Sequence, residues 1–188
     1  MKWSDKTIRP GPVCGIDPGV DGALAFLDVT DWTIEIVDVP KIKVIVNGKP
    51  RHHVDHVRLA EIITARRPWM IVTEHLWSRP GQDAKGLFSL GRYTGQVEMA
   101  SSMLGCDLRQ VTPQEWKSDL AVSSDKNLSR ERAAQLMPCL APTLTRKGDH
   151  DRGEAALLAF WGALKLGRMP KPIRLINPPA PPKRKKAA

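Results

Sequence analysis

Acidic residues stand at three places in this chain where a strand ends or a helix begins, and their type suits divalent-cation chemistry. Asp17 closes the apolar run Val13-Cys14-Gly15-Ile16 and is followed by Pro18-Gly19. Glu74 closes a second apolar run, Trp69 to Thr73. Asp149, Asp151 and Glu154 lie at the start of an apolar helical stretch, where the spacing puts Asp151 and Glu154 on one face. Hard divalent cations take carboxylate oxygens as ligands. Two such ions about 4 Å apart activate a water and stabilise the leaving oxygen of a phosphodiester. Singly, each acid has a plainer explanation. Asp-Pro-Gly favours a turn, and Asp149 or Asp151 would sit well at a helix N-terminus. Glu74 is harder to explain away, because a carboxylate at a buried strand end needs a partner. The three sites together point to a metal centre.

Elements must bring those acids together. Residues 13–17, 23–28 and 33–39 are three short β-type runs joined by tight Gly/Pro/Asp turns, an antiparallel meander. Lys41 to His53 is a polar, basic connection with Asn47-Gly48 as its hairpin turn. Val54, Val57, Ala60 and Ile63 fall at helical spacing. Trp69 to Thr73 is a fourth strand, Leu87 to Leu104 a helix, and Leu108 to Val111 a fifth strand. Thr112-Pro113-Gln114-Glu115 has the form of a capping box with proline at the first helical position. A helix from Asp125 to Met137 stops at Pro138, and a last helix over 154–166 carries Ala155, Leu158, Ala159 and Gly162 on one face. The order predicts an α/β fold: a five-stranded mixed sheet, three antiparallel strands then parallel ones, flanked by helices. If the strands of Asp17 and Glu74 are parallel neighbours, both acids point into one crevice at their carboxyl ends.

A chain of 188 residues fits one domain with some extra length, and 41% hydrophobic with 26% charged residues rules out wholesale disorder. No apolar stretch approaches the roughly 18 residues of a membrane span, so no membrane partner is expected. The N-terminal segment lacks the apolar centre of a signal peptide. Cys14, Cys106 and Cys139 match no metal-ligand spacing and read as free thiols, so a cytoplasmic location is expected. The net charge is +9 and the pI about 9.7, which points to a polyanionic partner. From Lys165 onward there are eight cations and no acid, leaving the first 164 residues near +1. Residues 168–188 therefore read as a flexible, proline-rich basic tail, whose Lys183 and Arg184 would add salt-dependent affinity for nucleic acid.

At residues 15–24 the sequence GIDPGVDGAL resembles the opening motif of RuvC-type Holliday junction resolvases. Further similarity lies in Ile71-Val-Thr-Glu74, Arg79-Pro-Gly-Gln82, Ser89-Leu-Gly-Arg92 and Val111-Thr-Pro-Gln-Glu-Trp-Lys117. It continues through Asp125-Lys126, Ser129-Arg130 and Asp149-His-Asp-Arg-Gly-Glu-Ala155, covers about residues 12 to 167, and is greatest to the phage and chloroplast branch. The resemblance implies an RNase H-like nuclease domain, a homodimer, two Mg²⁺ or Mn²⁺ ions per active site, and paired nicks across a four-way DNA junction. It implies a cytoplasmic setting in a bacterial cell or a phage-infected host. It also implies that Asp17, Glu74 and Glu154 are metal carboxylates. The phage pattern selects Asp149 as the fourth, whereas the bacterial pattern, with its acid three before the last, selects Asp151. Asp149 is preferred and Asp151 kept.

Other positions are candidates for contacts with the substrate or a second copy of the chain. Lys126 resembles an active-site lysine of the family, and Lys117 is a second candidate for a phosphate contact. Trp77 stands where the bacterial family carries an aromatic facing the opened junction, and base stacking there is worth roughly 1–3 kcal/mol. Arg79 and Gln82 lie in a loop suited to base reading. His52 and His56 could share a helix face as a metal pair, but a basic loop near DNA is the preferred reading, with His150 the better proton-transfer candidate. Gly91 and Gly95 fit either a dimer contact or internal packing. Competing functions are a nuclease for other branched DNA, a non-catalytic junction-binding protein, and an actin-like ATPase. The ATPase lacks a second glycine-rich phosphate loop.

Overall fold

The computed structural model describes residues 9–77, 81, 83–123, 125–168 and 170–176, without the side chains of Lys126 and Asn127. The sheet is built outward from its most apolar strand. β1 (Val13–Asp17) pairs antiparallel with β2 (Ala23–Asp28), which pairs antiparallel with β3 (Thr33–Asp38). The chain then forms a separate hairpin, β4 (Lys41–Val46) and β5 (Lys49–Val54). Its turn is Asn47-Gly48, both with positive φ (51° and 70°), the conformation such a pair supplies to a two-residue hairpin.

Helix α1 (His56–Arg66) returns the chain to β6 (Met70–Glu74), which lies parallel to β1. Helix α2 (Ala84–Leu104) leads to β7 (Asp107–Val111), parallel to β6. Helices α3 (Pro113–Asp119), α4 (Lys126–Leu136) and α5 (His150–Lys165) follow. At α3 the Thr112 half of the expected box is present: the Glu115 N–H donates to Thr112 Oγ1 at 3.3 Å, with Pro113 in the first turn.

A last short strand, β8 (Arg174–Leu175), adds to the edge beside β3, where the Arg174 and Ile176 N–H groups donate to the Trp32 and Ile34 carbonyls at 2.9 and 2.8 Å. The sheet order is β7-β6-β1-β2-β3-β8. Among the described residues it thus has six strands, not the five expected, and regular structure resumes beyond Gly167. The extra strand pairs with the first two residues of β3 and so covers the start of an edge that would otherwise be exposed.

The pleat sorts side chains onto two faces. Val13, Ala25, Ile34 and Val72 point into one core with α5, while Cys14, Ile16, Phe26 and Ile71 point into the other with Leu59 and Ile63 of α1 and Tyr93 and Val97 of α2. Helix α5 is buried all round, from Gly153 to Ala163, because it is packed between the sheet and α4. It lies very close to β1: a Cβ on Gly15 would fall 2.1 Å from the Ala155 carbonyl oxygen and 2.4 Å from the Ala159 nitrogen.

Candidate active site

The same pleat places two of the acids. Ile16 of β1 is paired with Thr73 of β6 in parallel register, so Asp17 and Glu74 are the next residues on adjacent strands. Both belong to the alternate set that includes Val13, Gly15, Met70 and Val72, and therefore face α5. Helix α5 crosses this face with Ala155 and Ala159 against Gly15. One turn nearer its N-terminus, Asp151 and Glu154 come level with Asp17. Strand ends from two segments and a helix start from a third thus meet at one point.

The electrostatics register that meeting. Burial raises the Asp17 carboxyl well above its usual range, and the charges of Glu154, Asp151 and Glu74, with a hydrogen bond to Asp151, push it the same way. The surrounding oxygens are turned onto donors. Trp116 Nε1 donates to Glu74 Oε1 at 3.0 Å, Lys117 Nζ donates to Glu154 Oε1 at 3.0 Å, and His150 Nε2 lies 2.8 Å from Asp151 Oδ1. His150 is held at its other nitrogen by the Lys147 carbonyl, 2.9 Å away. As the side chains stand, no three His, Cys, Asp or Glu among the described residues are disposed to hold an ion. The donor set is nonetheless all oxygen and crowded with like charge, which is the chemistry a hard cation relieves.

Asp149 lies elsewhere. It is buried in the turn before α5, where it accepts from the Arg146 backbone N–H at 2.7 Å, from Arg146 Nη2 at 2.7 Å and from Arg152 Nη1 at 3.3 Å. Burial alone would raise its carboxyl, but the Arg146 guanidinium and N–H, with Arg152, outweigh that and hold it below the usual range. Arg152 also forks onto Asp38, at the end of β3, at 2.6 Å. Two arginines thus engage Asp149, whereas the charge of Asp151 bears on Asp17.

Of the remaining candidates, Lys117 reaches the acidic cluster through Glu154. Trp77 is 41% exposed and its ring lies 5.5 Å from that of His75. The backbone of Lys126 opens α4, but its side chain is outside the described residues, as are Arg79, Gln82, Lys183 and Arg184. His52 and His56 share no helix face, since His52 belongs to β5 and His56 opens α1, where it bonds Gln96 at 3.2 Å. The three cysteines are free. No helix of the described residues is long and apolar enough to cross a membrane.

Sequence reasoning missed two parts of the site. Trp116 is fully buried and orients Glu74, though its place in the capping segment named only Thr112 and Glu115. Arg146 and Arg152 flank Asp149 at spacings of three, the one signal that pointed to a clamp.

No protein-family model and no curated protein matches the chain. Solved structures do. RuvC of T. thermophilus in complex with a Holliday junction substrate is 18% identical, with a TM-score of 0.50 over 81% of this chain and 94% of that one. A second structure of Thermus thermophilus RuvC is 18% identical, with a TM-score of 0.48 over 83% of this chain and 96% of that one. At this identity the likeness shows a shared fold, the RNase H-like fold of RuvC, and selects no phage or chloroplast branch.

Proposed function

We propose that this chain is a Holliday junction resolvase, a divalent-metal-dependent endonuclease that makes paired, symmetric nicks in four-way DNA junctions. The observation that carries the proposal is the convergence of Asp17, Glu74, Asp151 and Glu154 at one end of the sheet in a RuvC fold. Asp17, Asp151 and Glu154 would hold one Mg²⁺ or Mn²⁺, and Asp17 with Glu74 a second. When bound, such a pair lowers the pKa of the attacking water and stabilises the departing 3′ oxygen. The chain's own residues do the rest. Trp116 fixes the orientation of Glu74, and Lys117 stands beside the cluster as a cation for a phosphate developing charge. His150 is placed to exchange a proton with Asp151 and solvent. Trp77 would stack on an unpaired base, with Arg79 and Gln82 reading the strand beside it. Lys126 would contact phosphate, and Lys183 and Arg184 would add non-specific affinity.

A homodimer suits a substrate with two equivalent strands to cut. Support comes from α2. Its buried face carries Tyr93 and Val97, and the opposite face presents Phe88, Met99 and Met103, at 70%, 62% and 79% exposure. Gly91 and Gly95 lie on that outward stripe, and a Cβ at either would meet nothing within 4 Å, so internal packing does not explain them. Replacing Phe88 and Met99 by glutamate is expected to halve the mass seen by sedimentation. Paired nicking should drop at least tenfold, with single nicks persisting. An unchanged mass would place the dimer contact elsewhere.

The two neighbouring aspartates should separate by phenotype. Asp151→Asn is expected to slow nicking more than 100-fold with little change in melting temperature. Asp149→Asn should cost roughly 2–3 kcal/mol, about 5–10 °C for a chain of this size, by weakening a buried arginine clamp. Nicking rates and thermal unfolding of both variants decide the matter, and the reverse pattern would restore Asp149 as the ligand. The function itself is tested by incubating fixed-sequence four-way, flap and linear DNA with the protein and Mg²⁺. Cleavage confined to the four-way junction supports the proposal. Preferential cleavage of flaps, or junction binding without nicks, would replace it.

A further inference from the structure

The β4–β5 hairpin packs against little of the molecule, and most of its side chains are exposed on both faces. A lone two-stranded ribbon is marginal in water. Residues 41–54 contain four cations, Lys41, Lys43, Lys49 and Arg51, and no acid. Lys41 Nζ is held by Asp21 Oδ1 at 2.5 Å, which ties the base of the ribbon to the turn that follows Asp17. The Val39 N–H donates to the Gly22 carbonyl at 3.0 Å, anchoring the root to the same turn. Strand β3, from which the ribbon departs, runs antiparallel to β2 and so ends at the end of the sheet where Asp17 lies. Six residues per strand give a reach of about 20 Å beyond that rim.

The register distributes the remaining charge. Lys43 is opposite His52 on one face, whereas Val46 is opposite Lys49 and Val44 opposite Arg51 on the other. Lys43, Lys49 and Arg51 make no ion pair among the described residues. Cations on both faces of a narrow ribbon match a surface with an anionic wall on each side. The major groove of duplex DNA is such a surface, and it is wide enough to admit a two-stranded ribbon.

We infer that the β4–β5 hairpin is a DNA-binding arm that enters the groove of a duplex flanking the cut site and contacts phosphates on both walls through Lys43, Lys49 and Arg51. The inference rests on the nucleic-acid reading above and adds a second contact surface outside the acidic site. It sets how tightly and where a duplex arm is held, and leaves the chemical step to the acids.

The test uses the full chain with Lys43, Lys49 and Arg51 all replaced by glutamine. Binding to a synthetic four-way junction is measured in EDTA across a salt series, so that no cleavage is needed. The slope of log affinity against log salt should become shallower by about 2–3, and affinity at about 0.1 M salt should fall 10- to 100-fold. A slope equal to that of the parent overturns the inference, even if the protein cleaves junctions. A changed oligomeric mass also overturns it, by making the ribbon a contact between copies of the chain. A shallower slope in a protein that never nicks would uphold the arm and sink the resolvase proposal instead.

Discussion

Replacing Asp17 by asparagine is expected to abolish nicking, by at least about 1,000-fold, while four-way junction affinity changes less than threefold. The loss follows from its position. Glu74, Asp151 and Glu154 all bear on Asp17, which in the proposal would be the ligand common to both ions. The same substitution is expected to stabilise the fold in EDTA. Burial and three neighbouring acids raise the folded carboxyl's pKa, so ionising it at neutral pH works against the native state. The sign follows from linkage. An acid whose pKa is higher folded than unfolded binds the extra proton when folded, and stability falls as pH rises from the unfolded value toward the folded one. Asparagine removes that loss. A gain of roughly 1–2 kcal/mol would raise the melting temperature by about 2–8 °C at pH 7.5. Adding Mg²⁺ should then stabilise the parent and leave the variant unchanged. Thermal unfolding with and without Mg²⁺, beside a nicking assay, reads both effects. A variant that nicks normally, or that melts below the parent in EDTA, would contradict the site.

The second large effect is on architecture. Gly15→Ala should cost more than about 4 kcal/mol, lowering the melting temperature by roughly 10 °C or leaving the protein insoluble. The added Cβ would fall 2.1 Å from the Ala155 carbonyl oxygen and 2.4 Å from the Ala159 nitrogen, and both are helix backbone, which cannot rotate away as a side chain would. Helix α5 would have to lift from β1, and Asp151 and Glu154 would move with it. By contrast Gly91→Ala, where a Cβ meets nothing within 4 Å, should leave monomer stability within about 1 kcal/mol. Chemical denaturation of the two variants compares them. Equal stability would mean that the close approach of α5 to β1 is not what seats the helix.

Much of this arrangement was legible from local patterns. Asp17 and Glu74 each end an apolar run, and the condition that would bring them together, parallel neighbouring strands, is met in the structure. The Thr112-Pro113 cap and the Asn47-Gly48 turn are decided within four residues, so tertiary context had little to overturn. The choice between Asp149 and Asp151 was not local. The spacing of Asp151 and Glu154 did place them on one face, but resemblance to a family branch favoured the other acid. What distinguishes the two in the structure is where the guanidinium groups of Arg146 and Arg152 land, one of them also engaged by Asp38, which is 114 residues away in sequence. Strand β8 was invisible for a related reason. Two residues among prolines carry no period, and only the exposed edge of β3 makes them a strand. The outward stripe on α2 was half legible: its glycines stood out, but which way they faced required the packing of Tyr93 and Val97.

The claim beneath all of this is that acids from β1, β6 and α5 close around divalent cations. Anomalous scattering from Mn²⁺ in crystals of the protein with junction DNA addresses it most directly. The account predicts density bonded to oxygens of Asp17, Asp151 and Glu154, with a second peak shared by Asp17 and Glu74. Manganese at Asp149 instead, or none within reach of Asp17, would contradict it.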